Sequence, residues 1–572
     1  MTPCITLAFS FVALACPAPQ DGPEPEFGFP PTLEEARGEG GHATVGPLNV
    51  GKNLRMNGDN TQTLQNEYSL AINPTNRQNF LASSNDYRNG VPILGHYASL
   101  DGGKTIVSDG VLPLAGWQNS GDPAVAFDGF GNGYIMGLHF NRSPLTGALF
   151  IHKTRDGGRT FDAPKLAFAA AGNLPDKPYI TIDPRTSGTY AGSIYITFTG
   201  FYSAPSGLQC VSSRDGGSTW SSPVAIGSGQ GTSPAIGPNG EVYVSWYATT
   251  TIQFRASTNG GTSFGPTRTV APITRIPNRL SPTSFRAYSF PTTAVDRSNG
   301  PFRGRIHVSW ASMNGSTADV FACYSDNAGA TWSTPKVVND SSTGDQFMQW
   351  MAVDESGAVF CCWQDRRNDI NNRKHECYAS ASFDGGATWT KNWPVSETQN
   401  DPGSTGFIGD YNGLDALAGR AFATWVDFRN GSQDAYTAAV QADLEFAPVT
   451  LSAAAGGTVD LPIKAGPARV SQYYLLVASL GTNAGYKLGD ATFFLDLDPL
   501  LTLSATVPNQ GPFVNTFGAL GAGGFATPAP KFVATPGLLA SLAGQSISFG
   551  YVLLDNQRFT YGSNPVTVRV TN

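Results

Sequence analysis

The chain has 572 residues, of which 14% are charged, 40% hydrophobic and 11% aromatic, with 66 Gly, 40 Pro and a formal charge of −7. That length allows more than one core, and the Gly- and Pro-rich, sparsely charged composition is that of a turn-rich extracellular β protein. A weakly acidic chain with no basic patch argues against a nucleic-acid partner. The seven Cys form no Cys-x-x-Cys pair and the six His no His-x-x-x-His, so neither a zinc site nor another cofactor is expected.

In chain order, the first element is an apolar run from Ile5 to Leu14 ending in the small-x-small sequence Ala13-Leu14-Ala15. It reads as a signal peptide over residues 1–15, although no Lys or Arg precedes it. Cys16 follows directly and opens a lipoprotein alternative, so the expected location is secreted or at the cell surface. Residues 16–45, rich in Pro, Glu and Gly, read as a flexible linker. No other segment is long and apolar enough to span a membrane as a helix.

From residue 46 to 446 the sequence repeats. Strands ending in Asn or Asp before a turn begin at Glu67, Asp122, Lys177, Phe290 and Met348, and Ser233 and Asp410 are matching start positions, which gives seven units spaced 55 to 62 residues apart. A second β-branched and aromatic run follows in each unit, as in Val242-Tyr-Val-Ser-Trp246 and Val359-Phe-Cys-Cys-Trp363, with no helical periodicity. Six units carry a Gly-rich octapeptide: Ser99 to Ile106, Thr154 to Phe161, Ser213 to Trp220, Ser257 to Phe264, Ser325 to Trp332 and Ser382 to Trp389. Each has Asp or Asn at its third position (Asp101, Asp156, Asp215, Asn259, Asn327, Asp384), where the side chain can cap backbone N–H groups while Gly supplies positive φ. These residues are expected to build hairpins and to take no part in chemistry.

The octapeptide resembles the Asp box, Ser-x-Asp-x-Gly-x-Thr-Trp, of the sialidase-like β-propellers, and six copies are specific for that architecture. The resemblance implies an all-β Asp-box propeller. Seven units against six boxes predict seven blades, with Leu48 to Arg55 closing the last; six is the alternative.

If the boxes lie on one face, the starts of the first strands and the ends of the second strands share the other, where a propeller binds its ligand. After the second strand, Asp-x-Arg-Asn occurs at Asp86-Tyr-Arg88-Asn89, Asp365-Arg-Arg367-Asn368 and Asp427-Phe-Arg429-Asn430. Either Arg88, Arg367 and Arg429 converge on a carboxylate, or each pairs with the Asp two residues before it. Sialidases hold sialic acid with three arginines and attack it with a Tyr assisted by a Glu, with an Asp as acid and base. That resemblance implies Tyr411 as nucleophile, Glu67 as its base and Asp122 as the acid; Arg286 and Asp410, from the same face, are further candidate substrate contacts. The only Arg-Ile-Pro, at Arg275-Ile276-Pro277, follows the fourth box, whereas the family places it before the first, and the family's propeller has six blades.

Past Phe446 the boxes stop and short apolar runs alternate with Gly and Pro turns, so residues 447–572 read as a β-sandwich accessory domain. Cys361 or Cys362 could face Cys377 in a disulfide, or all three could be buried thiols. The expected function is a secreted, monomeric sialidase-like hydrolase acting on sialic acid or another acidic sugar, possessing a glycan partner and a potential cell-surface attachment. A non-catalytic binding propeller and a polysaccharide lyase or endo-acting hydrolase are the alternatives.

Overall fold

The structure is a computed structural model. It describes residues 48–572 apart from 60, 299–301, 356, 384, 418, 443, 445, 447–449, 464, 466–468, 489–490, 522–523 and 556–557. The expected signal peptide, the linker, Cys16 and Asp384 of the sixth box therefore lie outside the described residues.

The protein is almost entirely β, and the repeated units become antiparallel sheets. The first unit shows the pattern: Gln65–Ile72, Phe80–Asp86, Ile93–Ser99 and Ser108–Val111 pair in sequence order. Five more four-stranded sheets follow. The strands that begin the units are Gln65–Ile72, Asn119–Phe127, Leu174–Ile182, Gln230–Ile236, Thr292–Val295, Gln346–Val353 and Gly413–Leu417. Each lies against the next, and Gly413–Leu417 lies against Gln65–Ile72, which closes a ring in the manner of a β-propeller.

The last sheet takes its outer strand from the other end of the chain. Leu48–Val50 pairs antiparallel with Asp434–Ala442, and Leu54–Arg55 continues on the same strand, so two sheet edges disappear together. Between sheets, the aromatic residues near the ends of second strands supply much of the packing: Trp246, Trp310, Trp363 and Trp425 are fully buried.

The boxes are turns, as their composition requires. Asp101 accepts from the Lys104 and Thr105 N–H groups at 3.0 Å and from the hydroxyls of Ser99 at 2.9 Å and Thr105 at 2.6 Å. Gly103 stands at φ +80°, and a Cβ there would lie 2.6 Å from the Phe422 ring of the neighbouring sheet. The box thus needs Gly for conformation and for sheet-to-sheet approach.

After the ring, Thr450–Ser452, Val566–Thr571, Ser546–Asp555, Tyr473–Ser479 and Phe517–Ala519 form one sheet, joined by Arg558–Gly562. A smaller sheet of Gly457–Asp460, Lys531–Ala534 and Phe513–Val514 packs on it through Phe532 and Phe549, whose rings are 5.4 Å apart. The helix Pro499–Thr506 gives no signal in the pattern of apolar residues. Its local signal is Asp498, whose side chain accepts from Leu501 N at 2.8 Å, followed by Pro499.

Cys361, Cys362 and Cys377 are buried free thiols. Cys362 stands opposite Ala379 and Cys377 opposite Gln364, so Cys362 and Cys377 are diagonal across the ladder.

Candidate functional site

The strands that line the ring share one irregularity near their starts. In five of them the register shifts: at Asn66/Ser69, Gly121/Ala124, Asp176/Tyr179, Gln230/Ser233 and Phe347/Trp350. Each of these bulges contains a residue in the left-handed region, namely Glu67 (φ 57°), Asp122 (φ 52°), Lys177 (φ 48°), Gly231 (φ 63°) and Met348 (φ 52°). Gly409 (φ 95°) precedes the seventh strand. The conformation belongs to the fold, and glycine adopts it at no cost, as at 231 and 409. Glu, Asp and Lys occupy it in three consecutive units at a cost on the order of 1 kcal/mol each.

Those three side chains meet at the centre of the ring. Lys177 Nζ is 3.5 Å from Glu67 Oε1 and also contacts Asp410, which receives two hydrogen bonds from Arg286 at 2.8 and 2.7 Å. Asn85 Nδ2 donates to Glu67 Oε2 at 2.8 Å, while the Asn85 carbonyl accepts from Asp122 N at 2.9 Å. Lys177 N donates to Asp122 Oδ2 at 3.1 Å. Asp122 also shares hydrogen bonds with the carboxyls of Glu67 and Asp176. Two carboxyls in contact need a proton between them, so Asp122 is the acceptor for both neighbours.

Protonation divides accordingly. Burial pushes the Glu67 carboxyl well above the usual range, against the pull of Lys177. Burial, helped by the Asp122 charge, pushes Asp176 up to about 7. Burial alone would raise Asp122 too, but the Lys177 ammonium and the hydrogen bonds from Glu67 and Asp176 hold it below the ordinary Asp value. For Lys177, burial is outweighed by the surrounding carboxylates, which raise its pKa and keep it charged. Glu67, Lys177 and Asp410 are buried, whereas Asp122, Asp176 and Arg286 are half-buried and reach the mouth of the site. The centre thus holds an ionised carboxylate and a protonated carboxyl side by side, an arrangement suited to general acid–base work.

Several expected site residues stand elsewhere. Arg88 is held by Asp86 (2.8 Å) and Asp109 (2.6 Å), Arg367 by Asp365 (2.7 Å) and Asp340 (2.6 Å), and Arg429 by Asp427 (2.8 Å) and Glu397 (3.3 Å). In each, the backbone N–H of the Arg also donates to the same Asp. Arg367 and Arg429 stack on Tyr378 and Tyr436 of the third strand, 4.4 and 4.3 Å from the ring centroids. Each of the three guanidinium groups is therefore engaged by the Asp two positions before it and by a second acidic residue, in the same sheet for Arg88 and in a loop after the preceding sheet for Arg367 and Arg429, and the three are not brought together.

Tyr411 is at the centre, but its hydroxyl donates to Pro123 O at 3.3 Å instead of to Glu67. Burial raises its pKa well above the usual phenol value, which opposes its action as a nucleophile. Glu67, Asp122, Arg286 and Asp410 are brought together. The strand-start alignment contains Lys177 beside Glu67 and Asp122, and Asp176 is the residue before it, but nothing in the sequence marks either as a site residue.

Among the described residues, no group of three or more His, Cys, Asp or Glu is placed to hold a metal ion. Asp369, in the acidic loop after Asp365, is occupied by the backbone N–H groups of Asn371, Arg373 and Lys374.

No family model matches the sequence, and no curated protein matches it. Among solved structures, a protein of unknown function from Dyadobacter fermentans is similar at 13% identity and a TM-score of 0.40, over 69% of this chain and 99% of that one. The α-L-arabinofuranosidase of Fusarium graminearum is similar at 12% identity and a TM-score of 0.38, over 68% and 98%. The NanB sialidase of Streptococcus pneumoniae gives 11% and 0.36, over 67% and 69%.

Proposed function

We propose that the protein is a glycoside hydrolase whose acid–base centre is the cluster of Asp122, Asp176, Glu67 and Lys177. The observation that carries this reading is the placement of three charged residues, in consecutive units and in mutual contact, at left-handed positions that the same fold fills elsewhere with Gly231 and Met348. A conformational cost accepted three times around one point is the mark of a site. Asp176, protonated up to about pH 7, is the acid that gives its proton to the leaving oxygen. Asp122, ionised and half-buried, is the base or nucleophile, and Lys177 and Glu67 hold it in that state. Substrate enters on the face that carries Arg286, whose guanidinium lies 4.4 Å from the Phe407 ring centroid.

Sialic acid as the substrate has one arginine at the mouth in its support, Arg286, and that group is already engaged twice by Asp410. In this reading the ring is a seven-bladed propeller, residues 447–572 are an accessory β-sandwich, and the protein is exported through residues 1–15 or anchored by Cys16.

One observation favours a second reading. Hydrolases with two carboxyls place them about 5–5.5 or 6.5–9.5 Å apart around the glycosidic bond, whereas Asp122 touches both of its acidic neighbours. A non-catalytic glycan-binding centre tolerates that contact. Turnover of aryl glycosides, covering neutral sugars, uronides and a sialoside, separates the two. The hydrolase reading predicts release from at least one substrate, reduced at least about 100-fold in Asp176→Asn and Asp122→Asn; no release from any member of the panel favours the binding centre.

A further inference from the structure

We propose that Arg286 is a positioning residue that, through Asp410, balances the charge of the buried centre and thereby fixes which of its carboxyls hold protons. The consequence for catalysis rests on the hydrolase reading above. Arg286 is set in place by the protein itself. Its backbone N–H donates to Gly406 O at 3.3 Å, its neighbours Phe285 and Ala287 are fully buried, and its guanidinium lies 4.4 Å from the Phe407 ring centroid and 5.8 Å from that of Tyr288. Nε donates to one Asp410 oxygen and Nη2 to the other, so a whole edge of the fork is committed to that carboxylate. The Asp410 side chain is fully buried and also contacts Lys177.

Two cations, Arg286 and Lys177, thus stand against two carboxylates, Asp410 and Asp122, while Glu67 and Asp176 hold protons. Without the guanidinium, Lys177 alone faces both carboxylates. A buried centre with one charge in excess neutralises itself by a change of protonation, because desolvation penalises an unpaired charge. The groups that face the cluster from adjoining strands and loops do not substitute for Arg286. Tyr87, Tyr179 and Tyr411 are phenols whose ionisation burial opposes, and the exposed Arg142 acts on Tyr87. An arginine that served only a ligand would leave the protonation of the centre untouched.

The test is capillary electrophoresis of the folded full chain at pH 6, where Asp176 still holds its proton and mobility reads net charge. The wild type is compared with Arg286→Met, Asp410→Asn and, as calibrant, Arg159→Met at an exposed box position. The calibrant should be about one charge unit more negative than the wild type, whereas Arg286→Met should match the wild type because a bound proton replaces the lost charge, and Asp410→Asn should match it by releasing one. An Arg286→Met variant more negative by the full calibrant step would overturn the proposal; if that variant does not fold, an Asp410→Asn variant more positive by the same step would do so. Where a glycoside is turned over, the pH profile of kcat should move up by about one unit in Arg286→Met and return in Arg286→Lys, which keeps the charge. A raised KM with an unmoved profile would make Arg286 a ligand contact instead and overturn the proposal. Charge compensation without turnover of any glycoside would leave this inference standing and the hydrolase reading fallen; turnover with an uncompensated charge would do the reverse.

Discussion

The Asp-x-Arg corners and the heads of the ring-lining strands are both repeated features of the same face, and they treat charge in opposite ways. At Arg88, Arg367 and Arg429 the same residues make the same contacts, each guanidinium on an Asp two positions earlier. At Glu67, Asp122, Lys177, Gly231 and Met348 the backbone repeats and the side chains differ. Where backbone and side chain repeat together, the residues are scaffolding. Where the backbone repeats and charged side chains gather in consecutive units against their conformational preference, something beyond the fold has selected them.

Removing the cation at the centre should have the largest effect. Lys177→Met leaves Glu67 and Asp410 buried beside an unpaired methyl thioether, and thermal unfolding should show a loss of about 3–5 kcal/mol. The deficit should shrink as pH falls from 7 to 5, because Asp122, no longer held down by the Lys177 ammonium, then takes up the proton that removes the uncompensated charge.

Asp176→Asn comes next. It removes the acid, and kcat/KM should drop at least about 100-fold with the fold intact. In the wild type, activity should fall as pH rises through about 7, where Asp176 loses its proton. The linkage to stability has the same sign. The folded state keeps a proton that the unfolded chain releases above about pH 4, so this residue's contribution declines between about pH 4 and about 7 and is constant above.

Arg367→Ala should cost stability alone, about 1–2 kcal/mol by chemical denaturation, since the partly buried pair with Asp365 is lost. Its kcat/KM or ligand affinity should stay within about twofold of the wild type. The smallest effect belongs to the boxes. Burial would raise Asp101 and Asp156, yet hydroxyl and backbone donors hold both at about 2. Their contribution is present above about pH 4 and lost as pH falls through about 2. Both groups are largely solvated, so Asp101→Ala should cost at most about 1 kcal/mol in urea unfolding at pH 7 and nothing measurable at pH 2.

The scaffold was readable in the sequence because its chemistry is local. Asp101 caps N–H groups three and four residues on, and Gly103 is needed within the same turn. The strand heads were legible as positions: aligning the units put Glu67, Asp122 and Lys177 in register. Their meeting was not, because it joins residues 55 and 110 apart through the closure of the ring. The arginines misled for a related reason, since the spacing that suggests three converging forks also lets each fork turn back on its own Asp. The pairing of Arg286 with Asp410 had no sequence signal either, as it joins residues 124 apart.

The most direct measurement sets the two regions against each other in one assay: turnover and affinity on the best glycoside of the panel for Asp176→Asn and for the triple variant Arg88→Ala/Arg367→Ala/Arg429→Ala, each checked for folding by circular dichroism. At least a 100-fold loss of turnover is expected in the first and a change within about twofold in the second. Loss of activity or binding in a folded triple variant, with Asp176→Asn unaffected, would contradict it and move the site to the arginines.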